Sequence, residues 1–109
     1  MRADLPLPDQ IVQVGHACLE AGRRFQPDDG CHLVVLRVTD QAELAQMVDR
    51  LAAIGVRCAA FYEPDNDFGL TAICTEPIVD QRRRFFRQYR LWSSAETTRG
   101  PPLTADPTA

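Results

Sequence analysis

The spacing of apolar and polar residues predicts a helix at the start of the chain. Pro8 suits the first turn of a helix, because its missing N–H would lack a partner there, and the pattern continues to about Phe25. At ~100° per residue, one face of this helix is apolar and the opposite face is polar and predicted to be solvent-exposed. The apolar face holds Ile11, Val14, Cys18, Ala21, Gly22 and Phe25. The polar face holds Asp9, Gln13, His16, Glu20 and Arg24.

The next segment predicts a strand and a second helix. The stretch "HLVVLRV", residues 32–38, is nearly continuous in apolar residues, which is typical of a strand covered on both faces. Asp40 then predicts a helix start, with Glu43 three residues later as its capping-box partner. Gly55 predicts the end of that helix.

Two further strands and a final helix complete the pattern. The stretches "VRCAAFY", residues 56–62, and "LTAICTE", residues 70–76, are separated by a short loop, which favours an antiparallel hairpin. A short helix is expected from about Asp80 to Arg90. The order helix, strand, helix, strand, strand, helix indicates an α/β fold with a small mixed β-sheet sandwiched by helices.

The length of the chain fits one domain followed by a tail. We assign residues 1–92 to a single domain and residues 93–109, which are rich in Ser, Thr, Pro and Ala, to a disordered tail. A strand of the buried type at 32–38 needs a neighbour on each side. One strand is therefore missing from the pattern, and its expected place is before Met1.

Charge is distributed unevenly along the chain. The net charge is −3, yet residues 82–109 carry six arginines and two acids, and the chain contains no lysine. The run from Arg82 to Arg90 is either a solvated helix face or a patch that holds phosphates. For the phosphate-binding patch we select Arg83, Arg87 and Arg90, which share a helix face.

Membrane insertion, secretion and cysteine-based metal binding are not indicated. No apolar run approaches the ~20 residues of a membrane helix, and no signal peptide is visible, so a cytoplasmic location is the expectation. The four cysteines have no CxxC spacing and are expected to be reduced and mostly buried. A metal site that includes Cys31 and His32 is the less favoured alternative.

Several short motifs, in order, resemble those of type II peptidyl-tRNA hydrolases. "RADLPLPDQIVQVGHA" is similar to the opening signature of that family, and "DFGLT" resembles its D-x-G-x-T segment. The ending "YRLW" lies where the family closes with a short apolar segment. The matching positions are Arg2, Asp4, Leu5, Gln13, His16, Ala17, Asp67, Gly69 and Thr71.

The resemblance implies an activity and a set of site residues. Enzymes of this family hydrolyse the ester between a peptide and the 3′ end of tRNA, and no cofactor is implied. Such hydrolysis needs a positioned water, a proton acceptor and donors for the oxyanion. By position, Gln13 and His16 would contribute from the helix, and Asp67 and Thr71 from the hairpin. Glu63 and Asp65 are equally plausible carboxylates in the same loop.

One departure from the family leaves the activity open. The family has a lysine seven residues before the histidine, where this chain has Asp9. Arginine is a poor substitute in proton transfer because it stays charged. Two alternatives to an enzyme therefore remain: a non-catalytic module that binds tRNA or a peptide, and an interaction domain that forms a homodimer through an open sheet edge.

Each candidate residue also has a purely structural interpretation. His16 and Gln13 would then be ordinary surface residues of a helix. Asp67 and Thr71 would serve the turn and the strand in which they lie.

Overall fold

A computed structural model describes residues 1–93 of the 109-residue chain, so the predicted tail lies, apart from Ser93, outside the described residues. Its elements confirm the predicted α/β fold and the predicted order up to the last helix, after which a short strand follows that was not predicted. In chain order they are α1 (Leu7–Phe25), β1 (Leu36–Arg37), α2 (Gln41–Ala53), β2 (Cys58–Glu63), a 3₁₀ turn (Asp65–Asp67), β3 (Gly69–Thr75), a 3₁₀ helix (Gln81–Gln88) and β4 (Arg90–Leu91).

The first residues of the chain join two antiparallel strand pairs. β2 pairs with β3 and β1 pairs with β4. Between the pairs, Ala3 N donates to Val38 O at 2.8 Å and Val38 N donates to Met1 O at 2.9 Å, in a parallel bridge. Arg2 N donates to Thr71 O at 3.4 Å on the other side. The spatial order is therefore β4, β1, Met1–Ala3, β3, β2, with parallel and antiparallel neighbours.

Helices cover both faces of this sheet. α1 packs on one face, around a core of Met1, Leu5, Ala17 and Ala72. α2 and the 3₁₀ helix pack on the other face, around Val38, Leu44, Met47, Leu51, Val56 and Leu70. Burying a leucine side chain of this kind contributes about 1.5–3 kcal/mol. None of the helices within residues 1–93 is long and apolar enough to cross a membrane.

Local signals predicted α2 and the hairpin well. The Asp40 side chain accepts from Glu43 N at 3.0 Å, as the capping-box prediction requires. Glu43 Oε1 in turn accepts from Thr39 N, so two backbone N–H groups at the helix start have side-chain partners. Gly55 has a φ of +80° just after the end of α2. The antiparallel pairing of β2 with β3 is also confirmed.

The predicted orientation of α1 is only partly correct, because His16 is exposed as predicted but other positions are reversed. Gln10 and Gln13 are buried, whereas Ile11 and Leu19 are 61% and 76% exposed. Gln10 can be buried because its Nε2 donates to Leu5 O at 2.7 Å and its Oε1 accepts from Trp92 Nε1 at 2.7 Å. A buried polar group with hydrogen-bond partners carries little penalty, and here those partners are distant in sequence.

Two other predictions need correction. The strand expected over 32–38 is reduced to Leu36–Arg37, and Leu33 and Val34 are each 63% exposed. The partner strand β4 has only two residues, so the ladder cannot extend further. The last helix is a 3₁₀ helix, which has three residues per turn, and Phe85 and Phe86 anchor it against the sheet.

Candidate functional site

A buried arginine fixes the start of β3, the strand in which the predicted site residue Thr71 lies. The Arg2 guanidinium donates to both carboxylate oxygens of Asp4, at 2.9 and 3.0 Å. It also donates to the carbonyl oxygens of Phe68 and Leu70, the latter at 3.0 Å. The R-x-D part of the motif therefore holds the hairpin in position and does not point to a substrate.

Glycine is required at the beginning of the same strand. Gly69 has a φ of +71°, a region that side-chain-bearing residues rarely adopt. A Cβ at this position would lie 2.4 Å from Gln41 Oε1, the atom that accepts from Leu70 N at 2.6 Å. The glycine in "DFGLT" is therefore required by the backbone conformation and by the close approach of Gln41.

A β-bulge turns Thr71 towards α1. Phe61 pairs with Ala72 but Tyr62 pairs with Leu70, so Thr71 is an extra residue in β3. Three successive residues of β3, from Leu70 to Ala72, are consequently buried. Bulges of this kind re-aim a side chain locally and often lie beside active sites.

Gln13 links Thr71 to a carboxylate through a short chain of hydrogen bonds. Gln13 Nε2 lies 3.0 Å from Glu63 Oε1, and Gln13 Oε1 lies 2.7 Å from Thr71 Oγ1. An ionised carboxylate can only accept, so the amide nitrogen must face Glu63 and the Thr71 hydroxyl must donate to the amide oxygen. Thr71 is 0% exposed and Gln13 is 3% exposed, so these two buried side chains hold Glu63 in position from the interior of the protein.

The surroundings of Glu63 favour its ionised form. The hydrogen bond from Gln13 lowers the pKa of Glu63 below its ordinary value, and the backbone N–H of Asp65 and the charge of His16 lower it further. Glu63 therefore carries a negative charge at neutral pH, at the last position of β2.

His16 lies on the surface near this carboxylate, which confirms its predicted exposure. Its imidazole stacks on the Phe61 ring with centroids 4.4 Å apart and planes 11° apart. Phe61 precedes Glu63 by two residues, so both side chains project from the same face of β2. The stack holds the imidazole near Glu63 while leaving it open to solvent.

Asp67 does not join this cluster. It is exposed, with a φ of +57°, and within residues 1–93 no hydrogen bond connects it to Gln13, His16 or Thr71. Of the three acids in this loop, Glu63 is the one that accepts a hydrogen bond from Gln13. Because three acids occur in one short loop, the sequence alone gives no signal that separates them.

The predicted phosphate-binding residues lie elsewhere and form two groups. Arg83 and Arg87 line an open groove together with Arg84, on the 3₁₀ helix. Arg90 belongs to β4 and borders a different groove, beside Glu43. The 3₁₀ helix packs on the α2 face of the sheet, so Arg83, Arg84 and Arg87 lie across the sheet from α1 and His16.

The three arginines of the groove differ from the other arginines within residues 1–93. Each of the others makes at least one hydrogen bond, ion pair or comparable interaction, as Arg57 does with Glu76 and Arg82 with Asp80. Among the described residues, no such partner is found for the guanidinium groups of Arg83, Arg84 and Arg87. Their charges are therefore available to an anion.

Within residues 1–93, no group of three His, Cys, Asp or Glu side chains is arranged to hold a metal ion. The cysteines were expected to be mostly buried, but Cys31 is exposed and the other three are half-buried. No family model, curated protein or solved structure matches this chain. The site must therefore be interpreted from its own geometry.

Proposed function

We propose that this protein hydrolyses the ester between a peptide and the 3′ end of tRNA, as a divergent relative of type II peptidyl-tRNA hydrolases. The observation that supports this most is the chain of hydrogen bonds from Thr71 through Gln13 to Glu63, ending beside the exposed His16. Three of these four residues are the ones to which the motif resemblance assigns a role.

His16 acts as the proton acceptor in this proposal. Histidine exchanges protons near neutral pH, whereas a carboxylate whose pKa is lowered is a weak base. A water oxygen attacks the ester carbonyl carbon as His16 takes the water proton. The bond to the tRNA 3′ oxygen then breaks, and that oxygen receives the proton from His16.

Glu63 stabilises the imidazolium that forms during this reaction. Its negative charge lies beside His16, and the hydrogen bond from Gln13 keeps the carboxylate in place. Gln13 and Thr71 are positioning residues, because both are buried. In this proposal His16 transfers the proton with the charge of Glu63 nearby and without the family lysine, whose position is occupied by Asp9.

The test is hydrolysis of an N-acetylated aminoacyl-tRNA by the purified protein. The two histidines of the chain provide a matched pair, because His32 is exposed in a loop. The variant His16→Ala should lose about 100-fold or more of the rate, and His32→Ala should keep it. Equal rates in both variants, or a wild-type rate no higher than the uncatalysed one, would exclude this function.

A tRNA-binding module is the second candidate, and the groove of unpartnered arginines favours it. Charge neutralisation of phosphates supplies most of the affinity of such surfaces and makes binding fall with salt. For uncharged tRNA, the triple variant Arg83→Gln/Arg84→Gln/Arg87→Gln should bind more weakly and with a smaller salt dependence. Arg23→Gln is the control, since Arg23 pairs with Glu20 on α1. If the triple variant and this control bind alike, the groove does not contact tRNA.

A further inference from the structure

β2 is an edge strand, and its unpaired edge runs towards Glu63 of the candidate site. It pairs with β3 alone among the described strands. Glu76 N donates to Arg57 O at 2.9 Å, so the carbonyl of Arg57 faces β3. Because the direction alternates along an antiparallel strand, the N–H and C=O groups of Cys58, Ala60 and Tyr62 face away from β3.

These outward groups are available to another extended chain. Within residues 1–93, the only hydrogen bond to them comes from Arg24 Nη1, which reaches Cys58 O at 3.5 Å. The side chains of Cys58, Ala59 and Ala60 are small, so they leave room for close approach. Tyr62, which is 64% exposed, lies next to Glu63 at the far end.

We infer that the outer edge of β2 binds the peptide part of the substrate as an added, extended strand of roughly five residues. This inference rests on the proposed function. The peptides carried by tRNA share a backbone and differ in their side chains. A strand edge recognises the backbone through alternating hydrogen bonds, and here it leads directly to His16 and Glu63.

Charge at the two ends of the edge sets the orientation and the preferred form of the ligand. Glu63 is negative and would repel a free C-terminal carboxylate, whereas an ester has no charge there. The cationic group of Arg24 lies at the Cys58 end, where it disfavours a free terminal ammonium. The edge therefore fits an N-blocked peptide whose C-terminus is esterified, with that terminus at Glu63, and it releases the acid product.

The test uses N-acetylated five-residue peptides that end in a carboxamide, a stable substitute for the ester, in two unrelated sequences. Addition of either peptide to the isotope-labelled protein should slow hydrogen exchange of the Ala60 and Tyr62 amides. The same peptides with a free carboxylate should bind several-fold more weakly. Protection elsewhere, or protection for only one of the two sequences, would contradict backbone recognition at this edge.

A proline substitution provides an independent check. Ala60→Pro removes an outward N–H without removing a β2–β3 hydrogen bond, and proline is tolerated on edge strands. It should weaken peptide binding about tenfold or more, while Ala60→Ser, which keeps the N–H, should bind normally. If Ala60→Pro does not fold, the exchange measurement on the wild-type protein still decides the question.

The remaining outcomes separate this inference from the proposed function. If the protein hydrolyses peptidyl-tRNA but neither peptide protects Ala60, the edge is not the peptide site and the function stands. If the peptides bind but no hydrolysis occurs, the edge stands and the enzyme function fails. If protection of Ala60 arises on concentrating the protein alone, the edge pairs with a second copy of this chain, and the peptide assignment is wrong.

Discussion

At the scale of single residues, Gln13 is the most informative position in the molecule. The amphipathic pattern placed it on an exposed helix face, yet it is buried and connects three elements, α1, β2 and β3. Local periodicity records only the average polarity of a face. It contains no information about Thr71 and Glu63, which lie 58 and 50 residues away and satisfy the amide.

Substitution of Gln13 should therefore cost stability. In Gln13→Ala the buried hydroxyl of Thr71 loses its closest hydrogen-bond partner, and the expected loss is about 1–3 kcal/mol in the free energy of unfolding. The control Gln46→Ala changes an exposed glutamine of α2 and should stay within about 0.5 kcal/mol of wild type. Urea denaturation measures both. Equal losses would show that the amide of Gln13 is not held as described.

The charge state of Glu63 gives a second prediction for a single residue. Its folded pKa lies below its unfolded value, chiefly because of Gln13. The resulting stabilisation is present above about pH 4.3 and is lost as the pH falls through the folded pKa. The stability difference between wild type and Glu63→Gln should therefore shrink below pH 4. In an NMR titration, Gln13→Ala should raise the pKa of Glu63, and an unchanged value would contradict this assignment.

At the scale of elements, the features that depend on residues close together in sequence were predicted correctly. The cap of α2 at Asp40 and the hairpin of β2 and β3 depend on local geometry and were confirmed. The bulge at Thr71 and the shortened strand at Leu36–Arg37 were not predicted, because both depend on which strand lies alongside. Motif spacing placed Gln13, His16 and Thr71 in one region, and the hydrogen bonds that join Gln13 to Thr71 and to Glu63 depend on this tertiary arrangement.

Two glycines should respond in opposite ways to the same substitution. Gly69→Ala forces alanine into a positive φ and displaces the Gln41 side chain, so it should destabilise the protein by about 1–2 kcal/mol or more. Gly22→Ala lies inside α1 with nothing within 4 Å of its added Cβ, so it should stabilise by about 0.5–1 kcal/mol. Thermal unfolding distinguishes them, and shifts of the same sign would contradict the geometry at Gly69.

At the scale of the whole molecule, the two candidate surfaces lie on opposite faces of the sheet. His16 and Glu63 belong to the α1 face, and the arginine groove belongs to the face covered by the 3₁₀ helix. The sequence did not reveal this separation, because both surfaces were inferred from residue types without their place in the sheet. A tRNA that contacts both must extend around an edge of the domain.

This separation predicts that the two surfaces act independently. The variant Arg83→Gln/Arg84→Gln/Arg87→Gln should hydrolyse a small substrate, an N-acetylated aminoacyl ester of adenosine, at the wild-type rate. On full-length peptidyl-tRNA the same variant should show a raised KM with little change in kcat, because only binding is lost. A matching loss on the small ester would show that the arginines act at the reacting ester itself.

In the proposed reaction Glu63, held by Gln13, supports hydrolysis at His16. The most direct measurement compares the rates at which Glu63→Gln and Asp67→Asn hydrolyse N-acetylated aminoacyl-tRNA, since both remove one charge from the same loop. Glu63→Gln should lose at least about tenfold of the wild-type rate, and Asp67→Asn should stay within about twofold. A loss in Asp67→Asn with Glu63→Gln unaffected would show that Asp67, and not Glu63, is the carboxylate that supports hydrolysis.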